Sequence, residues 1–193
     1  MMKRLLLCLL LLPLGTVSAW ALSADEQMRF ADGIYLRGFY ETAVAEYLAL
    51  LRDYPDSEHV PAALYRTGEC YRQMGNQAGA ERFYKQLVVQ HPQSEQAPRA
   101  ELRRAELAIA EGRPADAAAI LNDLLMGGPS KETAAAATYY LGYSRLKAGD
   151  EKGASAAYER MLAEHGDSPY ASFAALDLAA LHAGEKGNDA QMS

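Results

Sequence analysis

The chain has 193 residues and is half hydrophobic, with 19 Lys and Arg against 25 Asp and Glu for a net charge of −6. That length can bury the core of one domain. An acidic chain without a basic block is a poor candidate for nucleic acid.

Residues 1–21 read as a separate segment. Lys3 and Arg4 give a short positive start, Leu5 to Leu12 is an apolar run broken by Pro13 and Gly15, and Ala19-Trp20-Ala21 fits a small-x-small cleavage pattern. This is the pattern of a secretory signal peptide, too short for a membrane span. A cut after Ala19 is the neighbouring reading, and an uncleaved N-terminal anchor is the alternative. Cys8 lies inside the apolar run, too near the N-terminus for a lipidation site. Cleavage after Ala21 leaves 172 residues and removes two cations but no acid, so the net charge moves from −6 to −8. Cys70 is then the only cysteine, which rules out an internal disulfide, and Trp20 leaves with the signal. No integral membrane segment remains, and the expected location is periplasmic or secreted.

From residue 22 a 37-residue repeat takes over. Pro55, Pro92, Pro129 and Gly166 keep that step, as do Gly38, Gly75, Gly112 and Gly149, and again Ala43, Ala80, Ala117 and Ala154. Fixed self-similarity at this length means a stacked array of one small unit. The units are taken as about 24–60, 61–97, 98–134 and 135–171. Each reads as helix A, a tight turn at the shared Gly, helix B, and a turn at the shared Pro or Gly. In the second unit helix A is predicted over about 61–74, opened by Pro61 and closed by Gly75 at positive φ. Helix B follows over about 77–90. Ala80, Phe83, Tyr84, Leu87 and Val88 recur there at steps of three and four, giving one apolar stripe. Ser57, Ser94 and Ser168 are placed to cap the next helix A.

Gly68 and Gly142 fall in the middle of helix A, where Gly costs about 1 kcal/mol against Ala. Ala31 and Ala105 are their equivalents. Close approach of a bulky helix-B residue explains them, and Tyr47, Tyr84, Leu121 and Tyr158 share the position that would supply it. After the fourth unit, residues 169–183 form one more apolar helix, read as a cap over the last core face. Residues 184–193 read as a frayed polar tail.

Leu64, Gly68, Tyr71, Gly75, Ala80, Tyr84, Leu87 and Pro92 together resemble the tetratricopeptide repeat (TPR). Gln27, Glu101 and Thr138 stand where that pattern expects a larger apolar residue, and Arg145 where Tyr is common. The resemblance implies an all-α fold, a TPR-type α-solenoid of antiparallel helix pairs with a C-terminal capping helix over residues 22–183. The longer step, with its Tyr/His-Pro-acid-Ser turn, is similar to periplasmic TPR proteins of bacterial envelopes. These include the outer-membrane assembly lipoprotein and the Tol–Pal-associated coordinator. A position peripheral to the outer membrane is one that likeness allows.

No catalytic constellation is legible. The chain has no Gly-rich phosphate loop, nucleophile elbow or HExxH. His59, His91, His165 and His182 read as turn or helix-surface residues, and Cys70 as a small buried thiol. No enzyme, metal or cofactor is expected.

The resemblance also implies a concave surface lined by helix A. The candidate partner-binding residues are Tyr65, Arg66, Glu69 and Arg72 in the second unit, Arg99 and Arg103 in the third, and Tyr139, Tyr140 and Tyr143 in the fourth. Met28, Asp32, Tyr35, Leu102, Glu106, Phe173 and Leu176 fall on the same implied surface. Tyr gives rigid interface area, and Arg pairs with carboxylates. The expected function is an exported scaffold binding an envelope protein or peptide with acidic and apolar side chains. The alternative is a noncatalytic subunit that positions an envelope polysaccharide or peptidoglycan enzyme. Pairing of two copies through uncapped faces is a further arrangement that an open-ended array allows.

Overall fold

The computed structural model describes residues 22–191. The expected signal segment, residues 1–21, lies outside them. Among the described residues there are nine helices and no strand: α1 (Ala24–Leu36), α2 (Tyr40–Asp53), α3 (Val60–Gln73), α4 (Gln77–Gln90), α5 (Ala97–Ala110), α6 (Pro114–Met126), α7 (Lys131–Lys147), α8 (Glu151–His165) and α9 (Ala171–Gln191). Each helix packs chiefly on its neighbours in sequence, while α5 meets α7 and α7 meets α9 across one unit. Four helix pairs and a ninth helix therefore form the solenoid that the 37-residue step implies. None of the described helices is long and apolar enough to cross a membrane.

The turn inside each pair is set by the shared glycine. Gly38, Gly75, Gly112 and Gly149 have φ of 81°, 73°, 73° and 83°, a region that L side chains rarely adopt. Beyond that turn Asn76 and Asp150 cap α4 and α8, each accepting from a glycine N–H at 2.9 Å.

The turn between pairs differs from expectation. Ser57 does not cap α3, whose N-cap is His59 without a side-chain bond. Instead two successive turns run ahead of the helix. Ser57 donates its N–H to Tyr54 O at 3.1 Å, and Val60 donates to Ser57 O at 3.1 Å. Ser94 and Ser168 sit at the same point of equivalent double turns. The Ser57 and Ser168 hydroxyls accept from the N–H two residues on, whereas Ser94 Oγ is buried without a partner. At these junctions the added turns lengthen the connection from helix B to the next helix A. The third junction is the exception. Ser130 is a true N-cap, accepting from Thr133 N–H at 3.3 Å, so α7 starts at Lys131, one turn before the expected unit boundary.

The core is a chain of small clusters between successive helices. Tyr47, Tyr84, Leu121 and Tyr158 are all fully buried. A Cβ built on Gly68 would stand 2.5 Å from Tyr84 Cε1, and one on Gly142 2.6 Å from Tyr158 Cε1. The expected close approach is therefore real in the second and fourth units. Cys70 is buried and free, and burial pushes its thiol up to about 12. The frayed tail expected from residue 184 is instead a continuation of α9 as far as Gln191. Residues 184–191 contain no proline to stop the helix.

Candidate functional site: a groove behind a charged ladder

The helix-A residues expected in the groove divide into a structural ladder, an aromatic cluster and a small open lining. The ladder repeats with the array. Asp32 accepts from Tyr47 OH at 2.6 Å and pairs with Arg66 Nε at 3.4 Å. One unit later Glu69 accepts from Tyr84 OH and pairs with Arg103 Nε at 3.2 Å. In both cases the tyrosine comes from helix B of the same unit and the arginine from helix A of the next. Arg72 adds a bond of 2.9 Å to Glu69, and Arg103 also binds Glu106 at 2.7 Å. The third unit has Leu121 in place of the tyrosine, so Glu106 has no hydroxyl there and is held by Arg103 from its own helix.

The electrostatics follow from that packing. Burial alone would raise the Glu69 carboxyl. Hydrogen bonds from Arg72 and Tyr84, with the Arg103 charge, outweigh it and hold the group below its ordinary value. Burial and the Glu69 charge push Tyr84 up. For Arg103 burial works downward, but the charges of Glu106 and Glu69 raise it above the usual guanidinium range. Four of the expected binding residues, Arg66, Glu69, Arg72 and Arg103, thus spend their charge inside the array. Glu69 is buried. The signal was present in sequence: Asp32, Glu69 and Glu106 keep the 37-residue step, and so do Arg66 and Arg103.

The aromatic cluster lies at the fourth unit. Tyr139 packs against Tyr140, Tyr143, Tyr158, Tyr170 and Phe173 at centroid distances of 5.4 to 6.4 Å. Lys147 Nζ sits 5.2 Å over the Tyr143 ring. Burial, then the Asp177 charge, pushes Tyr139 up to about 12, and burial with Glu106 does the same for Tyr140. Tyr139, Tyr140 and Tyr143 bind one another and the last helix while staying half-buried, whereas Tyr158 is fully buried.

Between the ladder and the cluster lies an open groove of about 390 Å³, lined by Tyr65, Arg99, Leu102, Arg103, Glu132, Thr133, Ala136 and Tyr170. Arg99 is exposed, and among the described residues no carboxylate lies within salt-bridge distance of it. Burial and the Glu69 charge raise Tyr65, keeping it a neutral hydroxyl. Of the nine expected residues, Tyr65, Arg99 and Arg103 line this groove, and only Arg99 presents an unpaired charge there. Glu132, Thr133 and Tyr170 were not anticipated. Thr133 and Tyr170 are one repeat apart, so the same 37-residue step marks them. The lining offers hydroxyls, the Arg99 guanidinium, the exposed Glu132 carboxylate and the Leu102 side chain to side chains of a ligand.

Two histidines also depart from a simple surface reading. His165 closes α8 and is buried, with Nδ1 lacking a hydrogen-bond partner. His59 Nε2 lies 2.6 Å from Asp25 Oδ1, and Asp25, Glu58 and His59 gather ligand atoms within 4.8 Å at the surface.

Two models described as "tetratricopeptide repeat" match residues 62–94 and 102–169, together just over half of the chain. The chain belongs to the tetratricopeptide repeat family. Solved structures agree on the fold. A TPR protein from Parabacteroides merdae superposes with a TM-score of 0.70 at 20% identity, covering 83% of this chain and 60% of that one. PilF from Pseudomonas aeruginosa gives 0.68 at 18% identity, covering 85% and 69%. MamA from Desulfovibrio magneticus gives 0.64 at 16%, covering 86% and 97%. The TPR chain thus spans 60% of the length of the Parabacteroides protein. No curated protein sequence matches it. TPR repeats indicate a protein-interaction scaffold.

Proposed function

We propose that this chain is a noncatalytic scaffold, exported to the cell envelope, that holds a segment of another envelope protein in its concave groove. The observation that carries the reading is Arg99, an exposed guanidinium without an acid partner among the described residues, set between Tyr65, Leu102 and Tyr170. Arg99 suits an acidic side chain flanked by apolar or aromatic ones, while the exposed Glu132 of the same lining disfavours a second acid beside it. A groove of about 390 Å³ is small for a whole ligand and fits a few side chains of a longer segment. The Lys3 to Ala21 pattern supports export. PilW, described as a widely conserved type IV pilus biogenesis factor, superposes with a TM-score of 0.61, which is consistent with an envelope role.

The experiment is affinity capture from envelope extract with the wild type, Arg99→Glu and the convex-face control Lys85→Glu. A partner retained by wild type and Lys85→Glu but lost by Arg99→Glu is the expected result. A partner lost only with Lys85→Glu would place binding on helix B and overturn the reading. Arg66 and Arg103 are unsuitable for this test, because reversing either charge breaks the ladder as well.

A further inference from the structure

The first junction of the array carries a set of metal-ligating side chains that no later junction repeats. Asp25 stands in the first turn of α1, and Glu58 and His59 stand in the double turn that leads into α3. Their carboxylate and imidazole atoms converge within 4.8 Å of one another, with His59 Nε2 2.6 Å from Asp25 Oδ1. Both backbones are pinned. Ser23 and Glu26 close a capping box at the start of α1, and Ser57 Oγ accepts from His59 N–H at 3.2 Å. The two carboxylates are like charges held side by side. Among the described residues neither has a Lys or Arg within salt-bridge distance, and His59 is the one basic side chain that Asp25 meets. Like charges kept this close favour a cation between them. One unit on, Ala62 and Gln96 stand in place of Asp25 and His59, and neither residue type returns later at those positions. Stacking of the units therefore does not require the set.

We propose that Asp25, Glu58 and His59 together bind one Zn2+ ion, which ties the start of α1 to the turn ahead of α3. One imidazole nitrogen with two carboxylate oxygens is a donor set for Zn2+, whereas Mg2+ and Ca2+ take shells of oxygen alone. Each ligand atom would lie about 2.0–2.2 Å from the ion, and so about 3.4 Å from its neighbours in tetrahedral geometry. Asp25 and Glu58 are exposed, so rotation of their side chains spans the difference from the present spacing. The same exposure leaves the fourth position of the ion to solvent. Ion binding replaces the repulsion between the carboxylates with two attractions. It also joins residues 34 apart in sequence, at the end of the array where α1 packs chiefly on α2. A ligand that binds only this folded arrangement stabilises it by mass action. The set shares no residue with the groove at Arg99, and its test needs no groove ligand.

Calorimetric titration of the purified, untagged protein with zinc chloride tests it, together with thermal melts with and without the metal. The expected result for wild type is one site per chain of micromolar affinity and a rise in Tm when Zn2+ is present. His59→Ala should lose both. Its imidazole makes no capping bond to α3, so circular dichroism should show unchanged helicity. Asp25→Asn and Glu58→Gln should each weaken binding by more than about tenfold, since even residues behind the ligands of a metal site cost that much. His182→Ala removes an exposed histidine elsewhere and should bind as wild type does. A wild type that binds no Zn2+, a His59→Ala variant with unchanged affinity, carboxylate variants that both keep wild-type affinity, or equal losses in His59→Ala and His182→Ala would overturn the proposal.

Discussion

Replacing Gly68 by Ala tests the packing on which every unit depends. Gly is a poor helix former, so on propensity alone the change should stabilise α3 by about 1 kcal/mol. The structure predicts the opposite sign. The new Cβ would stand 2.5 Å from Tyr84 Cε1 and 2.7 Å from Cδ1, where ordinary contact begins near 3.4 Å. Those atoms belong to a rigid ring that is fully buried and whose hydroxyl is held by Glu69. The ring cannot swing aside, so α3 and α4 must separate by nearly 1 Å or the Glu69 bond must break. Overpacking of that kind costs roughly 2–3 kcal/mol, leaving a net loss of about 1–2 kcal/mol after the propensity gain. In a chain of this size that is a fall in Tm of roughly 2–8 °C. Gly33→Ala supplies the control, because a Cβ there meets nothing within 4 Å in α1. It should raise stability by about 0.5–1 kcal/mol. Thermal melts and urea titrations followed by circular dichroism read both. If Gly68→Ala is neutral or stabilising like Gly33→Ala, the close-approach reasoning is wrong.

Glu69→Gln should destabilise by about 2–3 kcal/mol at neutral pH, since Arg72 and Arg103 lose the charge that holds them. The wild-type Glu69 carboxyl lies below its ordinary 4.5, so its contribution is complete above that pH and is lost as pH falls further. Denaturation against pH should therefore show a shallower acid limb for the variant, and equal acid limbs would contradict the ladder. Cys70, buried and with its thiol pushed up to about 12, should resist a thiol reagent in the native state at neutral pH and react on unfolding. Fast native labelling would show that α3 opens locally. The exported form should begin at Leu22 and show no tryptophan emission, checked by intact mass and fluorescence. An unprocessed chain in the cytosol would refute the export reading.

The repeat made most of the fold legible because its marks sit where the backbone has least freedom. Gly75 needs a positive φ, Pro61 suits a first turn, and Gly68 answers Tyr84. Each is a local demand visible at a fixed step. The site was less legible. Charge on helix A was read as a surface for partners, whereas Arg66 and Arg103 face acids of the preceding unit. Distinguishing a solvent-facing arginine from one that bridges units takes the pairing of two periodic series, one acidic and one basic. The double turn after Ser57 and the early start of α7 depend on single hydrogen bonds that composition does not reveal. Thr133, in the first turn of α7, and Tyr170, just before α9, reach the groove from successive units, a consequence of stacking rather than of any one helix.

The central claim is that the partner lies in the concave groove beside Arg99. A photo-crosslinking amino acid placed at Leu102, in the groove lining, and at Val89, exposed on helix B, separates the two faces in living cells. The account predicts one protein adduct from Leu102 and none from Val89. An adduct from Val89 with none from Leu102 would contradict it.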